Sequence, residues 1–553
     1  MAPNIGADIE MNGLRTSADA PRATTETKES SSVINVIASN EYLEDQDGQL
    51  LSTNSTRGDA VDMQRMGKEQ EFVRRFRLLS MASFVGLTTV SWEYGVFTLG
   101  PGLLNGGRAG LIYSTAWSFV GFGPVYLSMA EMASIAPIAG AQYHWVSEFA
   151  PESCQRILSY LVGWLSSIAW QAGCAAGMFL VGGSIQCSII VARETYNPTA
   201  WQSTLLALAA VVMAYLGNVY GARILPYWQN AIFAVHILAF LAYIIPIWAN
   251  APRATNEQVW GTFDASGGWS TMGLTIMVGQ LTGIANQLGV DAAAHMAEEV
   301  KDAAKSVPKA MISTYLVNFA CLWPLVITVC YHIPSVDDAL EDATGYPAMY
   351  VLRQSMSPAW VIVILGSIAF INAAGNITYM AAVTRDLFAF ARDNGLPFSA
   401  WIRKVDGKRD LPVNAAILTS AVSSLMALIY LGSEVAFYAI ISLYTTAILS
   451  CYCLSIGSLL WRRIYHPDTI PPAKFSLGRW GLITNSFAVV WCVYCLFWSV
   501  WPQEYPVTVT NFNWASVIIG VTMLVAMIHF FLKAKNVYIG PVAAVQGRKV
   551  RKA

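Results

Sequence analysis

The chain has 553 residues, of which 55% are hydrophobic and only 12% are charged. Soluble domains carry about 25% charged residues, so this composition excludes a water-soluble globule of such length. The formal net charge of −1 provides no basic surface, and nucleic acid is not expected among the partners. Cys492 and Cys495 have the spacing of a redox or metal-binding pair, but their apolar surroundings favour unpaired thiols within a helix.

Long apolar stretches follow a polar N-terminal region. Residues 1–75 are rich in Ser, Thr, Asn, Asp and Glu and lack the apolar core of a signal peptide, so they are predicted to form a disordered cytosolic tail. Residues 76–533 are predicted to form a transmembrane domain, and residues 534–553 a second cytosolic tail. A bilayer crossing needs about 20 apolar residues. The sequence therefore predicts an all-α membrane protein with twelve transmembrane helices, at residues 78–100, 109–133, 157–190, 202–220, 224–248, 270–297, 309–331, 359–391, 413–432, 435–461, 479–501 and 512–533.

Basic residues set the predicted orientation in the membrane. All but four of the 34 Lys and Arg residues lie on one side of the predicted spans. Cytosolic loops are enriched in basic residues, so both termini are predicted to be cytosolic. The plasma membrane is expected ahead of a vacuolar or other internal membrane. The four exceptions lie on predicted outer loops and are Arg108, Arg193, Arg253 and Arg353.

Glycine-containing interruptions are predicted in the first and sixth spans, around residues 92–96 and 285–289. Interrupted helices in corresponding positions of two halves indicate a transporter binding site, because each break frees backbone groups for a ligand. The alternative is that these glycines only permit close helix packing. The candidate substrate-binding residues are Trp92, Glu93, Tyr94, Gly95, Val96, Ala285, Asn286, Gln287 and Gly289.

Two carboxylates accompany the predicted interruptions. Glu93 lies well inside the first span, and an intramembrane carboxylate is costly enough to be a functional candidate. It is predicted to bind a substrate ammonium group, with Trp92 adding a cation–π contact, or to carry a coupling proton. A structural hydrogen bond is the alternative. Asp291 is predicted to carry a proton or bind the amine, or else to cap the helix that follows it.

Further charges mark the cytosolic ends of the sixth and eighth predicted spans. Glu298 and Glu299 follow the sixth, and Arg385 and Asp386 lie near the end of the eighth. They are predicted to form a cytosolic gate between helix ends, with a solvated loop as the alternative. His295 lacks a second histidine nearby and no phosphate-binding loop or catalytic motif occurs, so neither a metal, nor a cofactor, nor an enzymatic activity is expected.

Several motifs resemble those of the amino acid–polyamine–organocation superfamily, and in particular its fungal amino acid/choline transporter family. The resemblance extends over nearly everything after residue 75. It implies two inverted five-helix repeats plus two helices, with helices 1 and 6 discontinuous, working by alternating access. The motifs are Asp291-Ala292-Ala293-Ala294-His295-Met296-Ala297-Glu298-Glu299-Val300-Lys301, Leu103-Leu104-Asn105-Gly106-Gly107, Ala130-Glu131-Met132-Ala133-Ser134 and Phe388-Ala389-Phe390-Ala391-Arg392-Asp393-Asn394-Gly395-Leu396-Pro397.

The sequence departs from the superfamily at both interruptions. Relatives often carry Gly-x-Gly-[Ile/Val]-Phe in helix 1, and here Glu93 replaces the first glycine. Relatives often place an aromatic gate before the glycine of helix 6, whereas residues 285–288 contain no aromatic side chain. With the carboxylates, the resemblance predicts a secondary transporter for small amines or amino acids such as choline or γ-aminobutyrate, coupled to a proton. A polyamine permease and a nutrient sensor with a transporter fold are the alternatives.

Overall fold

The computed structural model of the protein describes residues 55–193, 195–433, 435–538 and 540–541. Within these ranges all regular secondary structure is helical, and two isolated β-bridges are the only strand-like pairings. The predicted all-α class is confirmed. A helix satisfies its own backbone hydrogen bonds, which is the condition for crossing a bilayer core without water.

The α-helices are numbered in chain order: Arg57–Arg65 (α1), Leu78–Thr89 (α2), Ser91–Thr98 (α3), Gly100–Leu104 (α4), Gly107–Ile135 (α5), Ala141–Phe149 (α6), Gln155–Ala192 (α7), Ala200–Gly221 (α8), Leu225–Asn250 (α9), Asn256–Trp260 (α10), Met272–Gly279 (α11), Leu281–Ala285 (α12), Ala292–His295 (α13), Ala303–His332 (α14), Val336–Leu340 (α15), Pro347–Ser355 (α16), Pro358–Arg392 (α17), Ser399–Ile402 (α18), Val413–Ile429 (α19), Val435–Tyr465 (α20), Gly481–Ser499 (α21), Ala515–His529 (α22) and Lys535–Val537 (α23).

Eight of the described helical stretches are long and apolar enough to cross a bilayer. Large apolar side chains such as Leu238, Val490 and Leu524 project outward and are more than half exposed, which suits contact with lipid. The chain is therefore a multi-pass membrane protein. The predicted spans that are not among these eight fall on α2 to α4, α5, α11 to α13 and α19, so the number twelve stays a prediction. The eight stretches are Gln155–Ala192, Ala200–Gly221, Leu225–Asn250, Ala303–His332, Pro358–Arg392, Ser442–Tyr465, Gly478–Ser499 and Ala515–Val537.

Two apolar cores meet at the junction between α2 and α3. Phe84 of α2 belongs to the first core, together with residues of α5, α7 and α20. Trp92 of α3 belongs to the second, together with residues of α9, α14 and α17. α2 also packs against α9, α14 and α17, and α12 packs against α5. The junction is therefore enclosed by long helices on several sides.

An N-terminal strap, residues 56–76, crosses the face that is predicted to be cytosolic. α1 begins there because the Thr56 hydroxyl accepts from the Asp59 N–H at 3.2 Å, as an N-cap does. Met63, Met66 and Phe72 are buried. The prediction of a disordered tail is therefore wrong for the part of 1–75 that the structure describes, and residues 1–54 lie outside the described residues.

Long-range polar contacts hold the strap. Asp59 accepts from the N–H groups of Asp302 and Ala303 at 3.0 and 2.9 Å, where α14 begins. Arg74 donates to the carbonyls of Ala297 and Val300 at 3.0 and 2.5 Å. These partners lie more than two hundred residues away in the chain. The polar composition of residues 56–76 therefore does not predict these contacts.

The predicted C-terminal tail, residues 534–553, also includes residues that pack against the domain. Tyr538 is buried, and its hydroxyl lies 2.7 Å from the Ser159 hydroxyl. Its carbonyl accepts from Arg156 Nε at 2.7 Å. The packed domain therefore continues past residue 534, and residues 542–553 lie outside the described residues.

Gly375 lets α17 approach the end of α2. A Cβ added at Gly375 would lie 2.5 Å from the Leu87 carbonyl oxygen and 2.9 Å from Val90 Cγ1, whereas one added at Gly366 of the same helix would meet nothing within 4 Å. We expect Gly375→Ala to lower stability by about 1–3 kcal/mol, because backbone must move. Gly366→Ala should be neutral or stabilising by up to about 1 kcal/mol, since alanine favours helix.

The thermal unfolding midpoints of the two variants, purified in one detergent, test this expectation. Equal midpoints would show that α17 does not pack as tightly on the α2–α3 junction as described.

Candidate functional site

The chain turns sharply between α2 and α3 at a single residue. Val90 has φ 35°, in the left-handed region, which is strained for a β-branched side chain and persists only where the surroundings impose it. Its N–H donates to the Gly86 carbonyl at 2.9 Å, and its carbonyl accepts from the Tyr94 N–H at 2.8 Å. The backbone is thus bonded on both sides of the turn.

The predicted unwinding at Tyr94 and Gly95 is wrong, because both residues lie inside α3. The glycine has a packing role instead: a Cβ at Gly95 would lie 2.7 Å from Leu322 Cδ1 on α14. Glycine in a membrane helix is as often a close-contact residue as a breaker, and the sequence pattern does not separate the two.

A second interruption separates α12 from α13. α12 ends at Ala285, α13 begins at Ala292, and Gly289 between them has φ 98°, which favours glycine. Short-range bonds hold this segment, such as that from the Gln287 N–H to the Ile284 carbonyl at 3.1 Å. The Tyr126 hydroxyl donates to the Gln287 carbonyl from α5. Protein groups therefore stabilise the non-helical backbone.

A cavity of about 70 Å³ lies between the two interruptions. Four of the predicted substrate-binding residues line it: Tyr94, Ala285, Asn286 and Gly289. The sequence interpretation missed Leu288 of the second interruption, Val90, and the residues contributed by the end of α2 and by α7, α17 and α20. These are Thr88, Thr89, Val90, Gly173, Ala176, Gly177, Leu180, Leu288, Asn372, Gly375, Asn376, Tyr379 and Tyr444.

The described lining of this cavity is uncharged and combines apolar side chains with a few polar ones. Asn286 donates to the Thr98 hydroxyl and the Thr282 carbonyl at 3.1 and 2.8 Å, and its Oδ1 is buried without a partner among the described residues. Asn372 Oδ1 and the Tyr379 hydroxyl are in the same condition. Leaving buried polar atoms unbonded costs about 1–3 kcal/mol each, so these atoms suit a ligand with several N–H groups.

Five predicted substrate-binding residues lie away from the cavity lining. Successive residues of a helix point about 100° apart, so Tyr94 faces the cavity while Glu93 does not. Glu93 is fully buried, and its Oε1 lies 2.7 Å from His236 Nδ1 on α9. The predicted contact of Glu93 with substrate therefore has no geometric support. The others are Trp92, Gly95, Val96 and Gln287.

His236 is a site residue that the sequence analysis missed. It stacks on Phe233 with ring centroids 5.3 Å apart and lies 6.0 Å from the Trp92 ring. The sequence feature that could have identified it is a single histidine within the apolar stretch that forms α9. A buried carboxylate needs a partner, and this is the residue that provides one.

Asp291 belongs to a second buried cluster. Its Oδ2 accepts from Gln142 Nε2 at 2.6 Å, and its Oδ1 accepts from the Tyr452 hydroxyl. His295 Nε2 lies 3.8 Å from Asp291 Oδ2, and His295 Nδ1 lies 3.6 Å from Asp386 Oδ1. Asp386 was predicted to be a gate residue, but it points inward to this cluster because Ser166 and Ser167 donate to it at 2.8 and 3.3 Å.

The other predicted gate residues form buried ion pairs. Glu299 Oε1 lies 2.7 Å from Arg385 Nε, and Glu298 binds Arg392 through two bonds of 2.9 and 2.7 Å. Burial raises the pKa of Glu298, but Arg392 and the Ala139 N–H lower it more, so its pKa lies below the usual value. The solvated-loop alternative is wrong.

Comparisons with known proteins place this arrangement in a family. A family model described as amino acid permease matches residues 76–524. The GABA-specific permease of Saccharomyces cerevisiae is 26% identical over 493 residues, covering 86% of this chain and 84% of that protein. The choline transporter of the same yeast is 25% identical over 458 residues, covering 82% and 80%. A putative amino acid/polyamine transporter of Macrophomina phaseolina is 29% identical over 443 residues, covering 79% and 97%. The resemblance drawn from the motifs is confirmed, and the chain belongs to the amino acid permease family.

Proposed function

We propose that the protein is a secondary active transporter that moves small amino acids or amines across a membrane by alternating access, coupled to protons. The observation that carries this proposal is the cavity enclosed by two interruptions of the helical backbone, at Val90 and at residues 286–291. Interrupted helices in corresponding positions of two halves are typical of transporter binding sites. The named activities of the yeast relatives support the same substrate class.

The proposal includes twelve crossings, in which α2 to α4 form the first and α11 to α13 the sixth. Both termini then lie in the cytosol and the outer loops carry few basic residues, as the positive-inside tendency favours. The strap and the ion pairs of Glu298 and Glu299 close the cytosolic side. The plasma membrane is the proposed location.

The cavity lining favours a substrate without a net charge. Asn286 Oδ1, Asn372 Oδ1 and the Tyr379 hydroxyl suit an ammonium group. Glu93 is already engaged with His236, 2.7 Å away, and does not line the cavity. A zwitterion such as γ-aminobutyrate is therefore favoured over a polyamine, whose several charges would meet no counter-charge in the described lining.

Three tyrosines in the lining favour a second candidate. Tyr94, Tyr379 and Tyr444 could surround a quaternary ammonium group such as that of choline, through cation–π contacts. Uptake of radiolabelled γ-aminobutyrate, neutral amino acids, choline and spermidine into proteoliposomes separates the candidates. Transport of none of them by folded protein would reject the proposed function.

Tyr379→Phe removes one hydroxyl from the cavity lining. If the substrate bonds to it, KM for uptake should rise about fivefold, because one hydrogen bond contributes about 1 kcal/mol. Tyr227→Phe is the matched control, since Tyr227 is 79% exposed and does not line the cavity. The measurement is concentration-dependent uptake, and an unchanged KM in Tyr379→Phe would exclude the contact.

Glu93 and His236 are proposed to anchor α3 rather than to bind substrate. Glu93→Gln should lower stability by about 3 kcal/mol, because it leaves a buried imidazole without its carboxylate. The double variant Glu93→Gln/His236→Gln should recover much of this loss and keep pH-driven uptake. The measurements are unfolding midpoints and uptake for both single variants and the double one. A stable double variant without pH-driven uptake would instead assign proton coupling to the Glu93–His236 pair.

Cysteine labelling tests the proposed topology. Lys305 and Glu257 are both exposed; Lys305 lies at the start of α14 on the side proposed to be cytosolic, and Glu257 lies in α10 on the side proposed to be external. A membrane-impermeant maleimide should label Glu257→Cys in intact cells and Lys305→Cys only after permeabilisation. The unsubstituted protein reports the background from its nine native cysteines. Labelling of Lys305→Cys from outside would overturn the orientation.

A further inference from the structure

His295 occupies a defined position between two buried carboxylates. Its Nδ1 lies 2.9 Å from the Ala139 carbonyl, which can only accept a hydrogen bond. Nδ1 therefore keeps its hydrogen in either charge state of the ring. The atom that gains or loses a proton is Nε2, which faces Asp291 Oδ2 at 3.8 Å and has no hydrogen-bond partner among the described residues.

Both carboxylates accept hydrogen bonds at each of their oxygens. The donors to Asp291 are Gln142 and Tyr452, and those to Asp386 are Ser166 and Ser167. The carboxylate oxygens are thus already bonded, whereas Nε2 of His295 has no hydrogen-bond partner among the described residues. The imidazole is therefore the base on which a proton can be held between them.

Several elements surround His295. Asp291 immediately precedes α13, α17 contributes Asp386, and α20 contributes the neutral Tyr452 and Cys451. α7 contributes the Trp170 ring, whose centroid lies 5.0 Å from that of His295, edge to face. The arginines on the cytosolic side, Arg385 and Arg392, are paired with Glu299 and Glu298.

We propose that Nε2 of His295 holds the transported proton, with Asp291 as its counter-charge. This inference rests on the proposed function. The step makes one N–H bond at Nε2 with a proton from the outer solution and releases the same proton to the cytosol after the site reorients. Asp291 ends the segment that begins at Asn286 in the cavity, so proton and substrate act on one short stretch of backbone.

His295→Asn tests the proposal. The asparagine Nδ2 replaces imidazole Nδ1 as donor to the Ala139 carbonyl, and Nε2 is lost. His332→Asn is the matched control: His332 Nδ1 lies 2.9 Å from the Pro252 carbonyl, and no carboxylate forms an ion pair with His332 in the described chain. Both variants are compared with the parent in proteoliposomes, by substrate exchange without a pH gradient and by accumulation driven by one.

We expect His295→Asn to exchange substrate but to lose accumulation above equilibrium, while His332→Asn behaves as the parent. Proton-driven accumulation by His295→Asn would overturn the proposal. A parent that exchanges substrate but never responds to a pH gradient would overturn it too and leave transport intact. A parent that does neither removes the proposed function itself.

Asp291→Asn provides a second variant in case His295→Asn does not fold. Without its nearest negative charge the imidazole holds a proton less well, so accumulation should need a more acidic outer solution. The pH dependence of uptake in Asp291→Asn should shift to lower pH relative to the parent. An unchanged pH dependence in a folded Asp291→Asn protein would contradict the assignment of Nε2.

Discussion

The structure depends on how backbone polar groups are satisfied where the helices are interrupted. Hydrocarbon offers no hydrogen bonds, so a break within a membrane protein persists only where neighbouring elements enclose it. At Val90 the bonds from its N–H and to its carbonyl bracket a single left-handed residue, and Gly375 brings α17 against the Leu87 carbonyl. At residues 286–291 the Tyr126 hydroxyl reaches the backbone from α5. The cavity lies between these two hydrogen-bonded interruptions.

Buried charge is organised by the same packing. Glu93 meets His236 across α3 and α9, Asp291 and Asp386 flank His295, and Glu298 meets Arg392. Each group links an element next to an interruption to a long helix that is continuous. Desolvating an unpaired charge would cost several kcal/mol, so each pair also restricts how its two elements can be arranged. The interrupted elements are therefore positioned by polar contacts as well as by apolar packing.

Composition and periodicity predict the membrane class, the apolar helices and the neighbourhood of residues 285–289, because these depend on local chemistry alone. They do not predict the direction in which Glu93 points, since that depends on where α3 begins. The break falls at valine rather than at Gly95, which packs on Leu322 instead. The strap shows the same limit: its residues are polar enough for a tail, yet Asp59 bonds to the start of α14. Long-range partners of this kind are invisible in one sequence.

The segment from Asn286 to Asp291 connects the cavity with the proposed proton site without any long pathway. At its C-terminal end the segment continues through α13 to Ala297 and Glu298. Gln70 and Arg74 of the strap donate to the backbone carbonyls of Glu298 and Ala297, respectively. Moving α13 away from α17 must break the Glu298–Arg392 pair together with those strap bonds. A ligand can drive such a change only to the extent that it binds the rearranged segment more tightly than the present one. In the proposed mechanism substrate and proton both act on this segment, so their differential binding energies would add at the place where the strap and the ion pairs resist opening.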